Sequence, residues 1–304
     1  MTIQIPDSWL REHLKTKATA KQIAEILSLT SVSIEKTEKQ GDDYLYHIEV
    51  TSNRPDLMSV IGIAKEASAV LPQFGIEASF IPLNIEKNPK RTMDKLPLVI
   101  ENDPSIVNRI CAVVLDVQNK KSPEFISKRL EAMGIRSLNN LIDITNYVMR
   151  EVGHPTHVFD YDRIDTHKII IRKSKPLEKI ITLDDKEHTL GGGDIVADNG
   201  KGEIIDLLGI MGTANSVVTD KTKRIIFFID NNKTSNLRKT SMNLAIRTEA
   251  AIVNEKGLEA PKIIKEHITP LIKGGGGGQK TLATAGGQDA SNLQAVIEKV
   301  KSLL

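Results

Sequence analysis

Four short apolar runs in the second half of the chain constrain its fold most: RICAVVLDV (109–117), HKIIIRKS (167–174), IIDLLGIMGTANS (204–216) and RIIFFID (224–230). Each reads as a strand. Helical patterns fall between them too irregularly for a run of βαβ units, so the expected fold class is α+β. The third run is broken by Gly209 and Gly212, where a backbone turns sharply or approaches something closely. LPLVIE (96–101) is a further strand, and KIITLDDKEHTL (179–190) a hairpin turning at Asp184–Lys186.

Helical periodicity supplies the rest. SPEFISKRLEAMGI (122–135) has Ser122 as N-cap, Pro123 in the first turn, and Phe125, Ile126, Leu130 and Met133 along one face. TSNLRKTSMNLAI (234–246) reads as a capped helix. Residues 1–72 read as a small, mainly helical module. Asp7 or Ser8 caps a helix carrying Trp9, Leu10 and Leu14, and TAKQIAEILSL repeats Ile23, Ile26 and Leu27 at helical spacing. The strand YLYHIEV, the turn TSNRPDL and the helix MSVIGIAKEASAVL follow. Near the other end, Gly274–Gly278 read as a flexible joint. An amphipathic helix with Leu293, Val296, Ile297, Val300 and Leu304 on one face comes after it and needs something to dock on, this chain or a protein partner.

Bulk numbers exclude more than they assign. A length of 304 residues suits two domains. With 41 basic and 39 acidic residues the net charge is +2, so no global field demands a polyanion partner. Cys111 is the single cysteine and, set in an apolar run, reads as a buried inert thiol; no disulfide framework is possible. No run approaches a membrane span and the N-terminus has no signal-peptide order, so a cytoplasmic protein without membrane contact is expected.

Candidate chemistry is sparse. His154 and His157 flank Pro155, three apart, which is not the usual metal-pair spacing, and no third ligand stands near; no metal or cofactor is expected. Thr145 and Asn146 offer a hydroxyl and an amide to a ligand, or equally cap a helix. LGGGDIVADNGKG lacks the spacing of a phosphate loop and reads as loop. Arg238, Lys239 and Arg247 make a basic face, solvated or phosphate-contacting.

The stretch NNLIDITNYV followed by GHPTHVFD resembles, nearly residue for residue, the β subunit of bacterial phenylalanine–tRNA ligase. That family shows NNVVDITNYV and then a Gly-x-Pro-x-His-x-Phe-Asp element. TSNRPDLMSVIGIAKEASA, RLEAMGIRSLNN, GIMGTANS and LRKTSMNLAIRTEA match in the same order, together spanning about residues 1–260. The resemblance implies an N-terminal helical module (1–90), a B3/B4-like tRNA-editing domain (91–273) and a Gly-rich linker with a C-terminal helix (274–304). It implies tRNA(Phe) and a synthetase α subunit as partners. The family's OB tRNA-binding insert is missing, with only KTEKQGDDYLY in its place, and so are the later modules. A chain so cut down is not expected to attach phenylalanine by itself.

The resemblance also implies a site. In the family the editing module hydrolyses mischarged Tyr-tRNA. Its matching pocket positions are Thr145, Asn146, His157, Gly209 and Gly212, all retained. Three elements depart. Phe228 in IIFFID stands where the family's ILLEAA has a Glu that reads the tyrosine hydroxyl. Leu208 replaces a small residue before GVMGG, whose last Gly is Thr213, and YRFERGVDP becomes IVNEKGLEA, with Val253 and Asn254. A tyrosine hydroxyl against Phe228 would be desolvated without a partner, at about 1–3 kcal/mol. The expectation is therefore a degenerate editing pocket whose opposite wall is Leu208 and Phe228. The alternative is a non-catalytic RNA- or protein-binding scaffold on the same fold.

Overall fold

The structure, a computed structural model, describes residues 2–84, 96–246, 274–279 and 282–287. Residues 1–250 form one compact unit and residues 251–304 a second.

The first unit begins β1 (Thr2–Pro6), α1 (Asp7–His13), β2 (Leu14–Thr16), α2 (Ala20–Thr30), β3 (Ser33–Gln40), β4 (Asp43–Glu49), α3 (Val60–Val70) and β5 (Ala78–Phe80). The apolar spacing of α2 buries Ile23, Ile26 and Leu27 as expected. Its start is fixed by a capping box: Gln22 N donates to Thr19 Oγ1 at 3.2 Å, and Thr19 N donates to Gln22 Oε1 at 2.9 Å. At α1 neither expected residue caps. Pro6 holds that position, while Asp7 sits in the helix and accepts from Tyr46 Oη at 2.5 Å and Arg11 Nε at 2.6 Å. Ser8 Oγ donates instead to Asp43 at 2.5 Å.

The module is also less helical than its sequence suggests. β1, β4 and β3 form an antiparallel three-stranded sheet in the order β1-β4-β3. SIEKTEKQ carries too many charges to show an alternating strand pattern, yet β4 offers it an edge to pair with. Its charged side chains suit an outer strand. A hairpin stands where the resemblance implies an OB insert: β3 and β4 close through Gly41, at φ +61°, with Gln40 paired to Asp43.

The unit continues with β6 (Val99–Glu101), β7 (Val107–Asp116), α4 (Glu124–Ala132), α5 (Asn140–Val152), β8 (His157–Asp160), β9 (Lys168–Lys173) and β10 (Lys179–Ile181). After these come β11 (Glu187–Thr189), β12 (Ile195–Asp198), β13 (Ile204–Leu207), β14 (Met211–Gly212), β15 (Arg224–Asn232) and α6 (Thr234–Leu244). One sheet runs β7-β15-β8, a second runs β14-β13-β12-β9-β6, and β10–β11 is the expected hairpin. The two larger sheets share a core: Phe159, Ile226 and Phe228 from the first pack with Ile169, Ile171, Ala197 and Ile205 from the second. The fold is α+β, as expected.

Several local expectations change. Pro123, not Ser122, stands at the N-cap of α4; Ser122 Oγ donates to Asp143 instead. Ile126, Leu130 and Met133 are buried, whereas Phe125 is 57% exposed, turned edge-on to the ring of Tyr147. Cys111 is exposed, because β7 is an edge strand and its outer face is open. LGGGDIVADNGKG is not all loop: its IVAD is β12, buried at every position. α6 begins after Lys233 without a side-chain cap. Along it Arg238 is half-buried and Lys239 exposed, while Arg247 lies outside the described residues.

The two halves of this unit interlock. Trp9 of α1 stacks on Tyr147 of α5 with centroids 4.4 Å apart, and both Trp9 Nε1 and His13 Nε2 reach Glu151 Oε1, at 3.4 and 3.1 Å. Arg129 of α4 pairs with Glu12. The break expected at 90/91 falls outside the described residues. In the second unit, Gly274–Gly278, expected as a joint, belong to β16 (Gly274–Gln279), paired antiparallel with β17 (Leu282–Gly287). The amphipathic helix expected after it lies outside the described residues. Among the described residues, no helix is long and apolar enough to cross a membrane.

Candidate functional site

A cavity of about 330 Å³ opens where the start of β8, the β13–β14 turn and the far end of β15 meet. His157, the first residue of β8, lines it. Its ring packs edge-on against Phe159, centroids 4.5 Å apart, and burial lowers its pKa to about 4. The imidazole is therefore neutral near pH 7. It fits only because residue 212 is glycine: a Cβ there would lie 2.7 Å from His157 Cε1. Gly209 has its own reason, a φ of +69° and a would-be Cβ 2.9 Å from Leu237 Cδ1.

Two carboxyl groups complete the lining, Asp206 from β13 and Asp230 from β15. Asp206 is 5% exposed. Burial, and then the charge of Asp230, hold its pKa well above the carboxylate range, opposed only by the Leu207 N–H. Burial raises Asp230 as well, partly offset by Asn232 Nδ2, which donates to it, and by His154. His154 Nε2 donates to the Asp230 carbonyl oxygen at 3.0 Å, which fixes the end of β15 beside the cavity. Thr156 also lines the cavity, and its Oγ1 is buried with no hydrogen-bond partner among the described residues.

Of the residues expected in the pocket, His157, Gly209 and Gly212 come together there. Thr145 does not: it is buried in α5 and donates to Ile142 O at 2.7 Å, one turn before Met149, which does reach the cavity. Asn146 is half-buried and also away from the lining. Leu208 and Phe228 are fully buried in the shared core, with Phe228 edge-on to Phe159 at 5.5 Å. Neither is among the described residues that line this cavity. Along a strand, i and i+2 share a face, so Phe228 points into the core while Asp230, two residues on, reaches the cavity. Loss of the family's Glu at 228 therefore does not leave the pocket without a carboxyl.

The sequence reasoning missed Asp206, Asp230 and Thr156. A signal was present: single acids inside the apolar runs IIDLL and FFID are carboxyls that folding must bury or aim at something.

Comparison with known proteins assigns this α+β fold to a domain family. The family model for the B3/4 domain matches residues 107–272, and the chain belongs to that family. The expected resemblance to phenylalanine–tRNA ligase β subunits holds over most of the chain. It is 38% identical over 250 residues to the β subunit from Clostridium tetani, covering 82% of this chain and 29% of that protein. It is 32% identical over 254 residues to the Bacillus cereus β subunit, covering 83% and 31%. The chain thus spans about three tenths of the length of these curated relatives. An N-terminal fragment of the phenylalanyl-tRNA synthetase beta-subunit from Pyrococcus horikoshii aligns with 81% of this chain and 73% of its own, at 15% identity and a TM-score of 0.40, too loose a likeness to carry residue roles.

Proposed function

We propose that this chain is a synthetase β-type editing module that binds the aminoacyl end of tRNA and hydrolyses its ester, with altered rather than lost selectivity. The observation that carries the reading is the open cavity at His157. It is of amino-acid size, at the lower end of ligand pockets, and Phe228 and Leu208 leave it free. Neutral His157 is an acceptor for an attacking water, and Asp206 and Asp230 add polar groups to the lining. In a complete synthetase the module would act on tRNA(Phe) beside the α subunit.

With no carboxylate at position 228 to read a para-hydroxyl, the preference for tyrosine over phenylalanine falls. Deacylation of Tyr-tRNA(Phe) and Phe-tRNA(Phe) by the purified chain tests this. The two rates are expected within about tenfold of each other, and both drop in His157→Ala. No deacylation of either ester above the uncatalysed rate would defeat the reading. A second reading, a non-catalytic scaffold, is favoured by the open face of β7, where Val113 and Leu115 are 47% and 41% exposed. Co-purification of a catalytically silent chain with an α subunit would support it.

A further inference from the structure

We propose that Asp206 is a second catalytic residue of the His157 cavity, donating its carboxyl O–H to the carbonyl oxygen of the ester while His157 takes the proton of the attacking water. This deepens the editing reading and rests on it. The geometry comes from the hairpin of β13 and β14, where Asp206 and Gly212 are direct cross-strand partners. Residues opposite one another in an antiparallel pair carry their side chains on the same face, with Cβ positions about 4.5–5.5 Å apart. Gly212 has no side chain, and His157 stands over the place where its Cβ would lie, with Cε1 2.7 Å and Nε2 3.3 Å from that point. The imidazole edge therefore takes the position of a cross-strand neighbour to Asp206, and both groups line the same cavity.

Their protons suit the two roles. Burial, and then the charge of Asp230, favour the protonated Asp206 carboxyl, while burial favours the neutral imidazole. The acid thus holds its proton at a pH where the imidazole has lost its own, the division that a donor and a base in one site require. Among the described residues Asp206 accepts from the Leu207 N–H, and its O–H meets no acceptor. Around it β15 contributes Asp230 and β8 contributes His157, whereas β12 and β14 place only Ala197 and Gly212 opposite it. A base as weak as this imidazole needs an activated electrophile, which a donor aimed at the carbonyl oxygen supplies. As the water oxygen bonds to the carbonyl carbon, its proton passes to His157, and the C=O electron pair moves onto the oxygen beside the Asp206 O–H. Collapse restores the C=O and breaks the bond to the ribose oxygen, which takes the proton back from His157. Asp206 keeps its proton throughout.

Single-turnover deacylation of Phe-tRNA(Phe) by the whole chain, with affinity for that tRNA measured in parallel, tests the role on Asp206→Asn and Asp206→Leu. Asn keeps an N–H donor; Leu has similar bulk and none. Asp206→Leu is expected to lower the rate constant about 10²–10³-fold and Asp206→Asn to stay within about tenfold of the parent. Affinity is expected to change less than about threefold in both, because the donor acts in the transition state. Circular dichroism should be unchanged, and the infrared difference between parent and Asp206→Asn at pH 7 should contain the carbonyl stretch of a protonated carboxyl. Parental rate in Asp206→Leu, equal losses in the two variants, a loss of affinity as large as the loss of rate, or absence of that band would overturn the proposal. If the parent and Asp206→Leu deacylate equally, the editing reading stands without Asp206. If the parent cleaves no ester, the editing reading fails and the role of Asp206 falls with it.

Discussion

Asp143 and Asp206 are both buried aspartates, 0% and 5% exposed, yet their surroundings are opposite. Asp143, in the motif NNLIDITNYV, is answered on every side. It accepts from Ser122 Oγ, from Ser137 Oγ at 2.5 Å and from Leu138 N at 2.9 Å. Its neighbours in the motif are equally occupied. Asn139 caps α5 through Leu141 N and Ile142 N, both at 3.1 Å, and Asn140 braces the 118–120 loop through Gln118 O and Lys120 N. Among the described residues, Asp206 meets only the Leu207 N–H and the charge of Asp230. A polar cluster that is satisfied internally holds a fold together, whereas one left open is available to a ligand. By that criterion the start of α5 is a brace, and the polar groups left open lie at β13 and β15.

Breaking the brace should have the largest effect. Asp143→Ala strands two hydroxyls and a backbone N–H in the interior, and a loss of about 3–4 kcal/mol in chemical denaturation is expected. A loss below about 1 kcal/mol would erase the contrast. Asp206→Asn should act in the opposite direction. A carboxyl whose folded pKa lies above its unfolded value, near 3.8, favours the folded state at low pH, and that contribution fades as pH rises through the folded value. The variant should match the parent near pH 3.5 and become more stable than it by about 1–2 kcal/mol towards pH 8. Denaturation across that range would show it, and a parent more stable than the variant at pH 8 would place Asp206 with Asp143. The smallest expected effect is that of Gly212→Ala, about 1 kcal/mol, because the new methyl group must push His157 or Leu183 aside. Its sharper readout is a drop in deacylation at nearly parental stability.

Helical elements were legible because their signals are local. The apolar spacing of α2 and the Thr19–Gln22 pair lie within one dozen residues. β3 was not, since SIEKTEKQ becomes a strand only through pairing with β4. The site divides in the same way. His157, Gly209 and Gly212 are visible in the family motifs, and each has a steric reason to be there. Asp206 and Asp230 belong to strands of different sheets, and no spacing along the chain reveals that those strands end at one cavity. The direction of a strand side chain is likewise set by pairing. Leu208 and Phe228, substituted relative to the family, looked like pocket walls until the sheets turned them into the core.

The turn at Gly41 has an architectural consequence. After a register shift between Ile34 and Lys36, β3 and β4 stay paired down to Gln40–Asp43, and nothing lies within 4 Å of where a Cβ on Gly41 would sit. The chain leaves and re-enters the sheet at neighbouring points in open space. Such a tip works as a port: any folded cartridge whose own ends lie close together can be spliced in without changing a single strand pairing below it. Gain or loss of a domain at this point is then a modular choice, made at one loop and invisible to the rest of the fold.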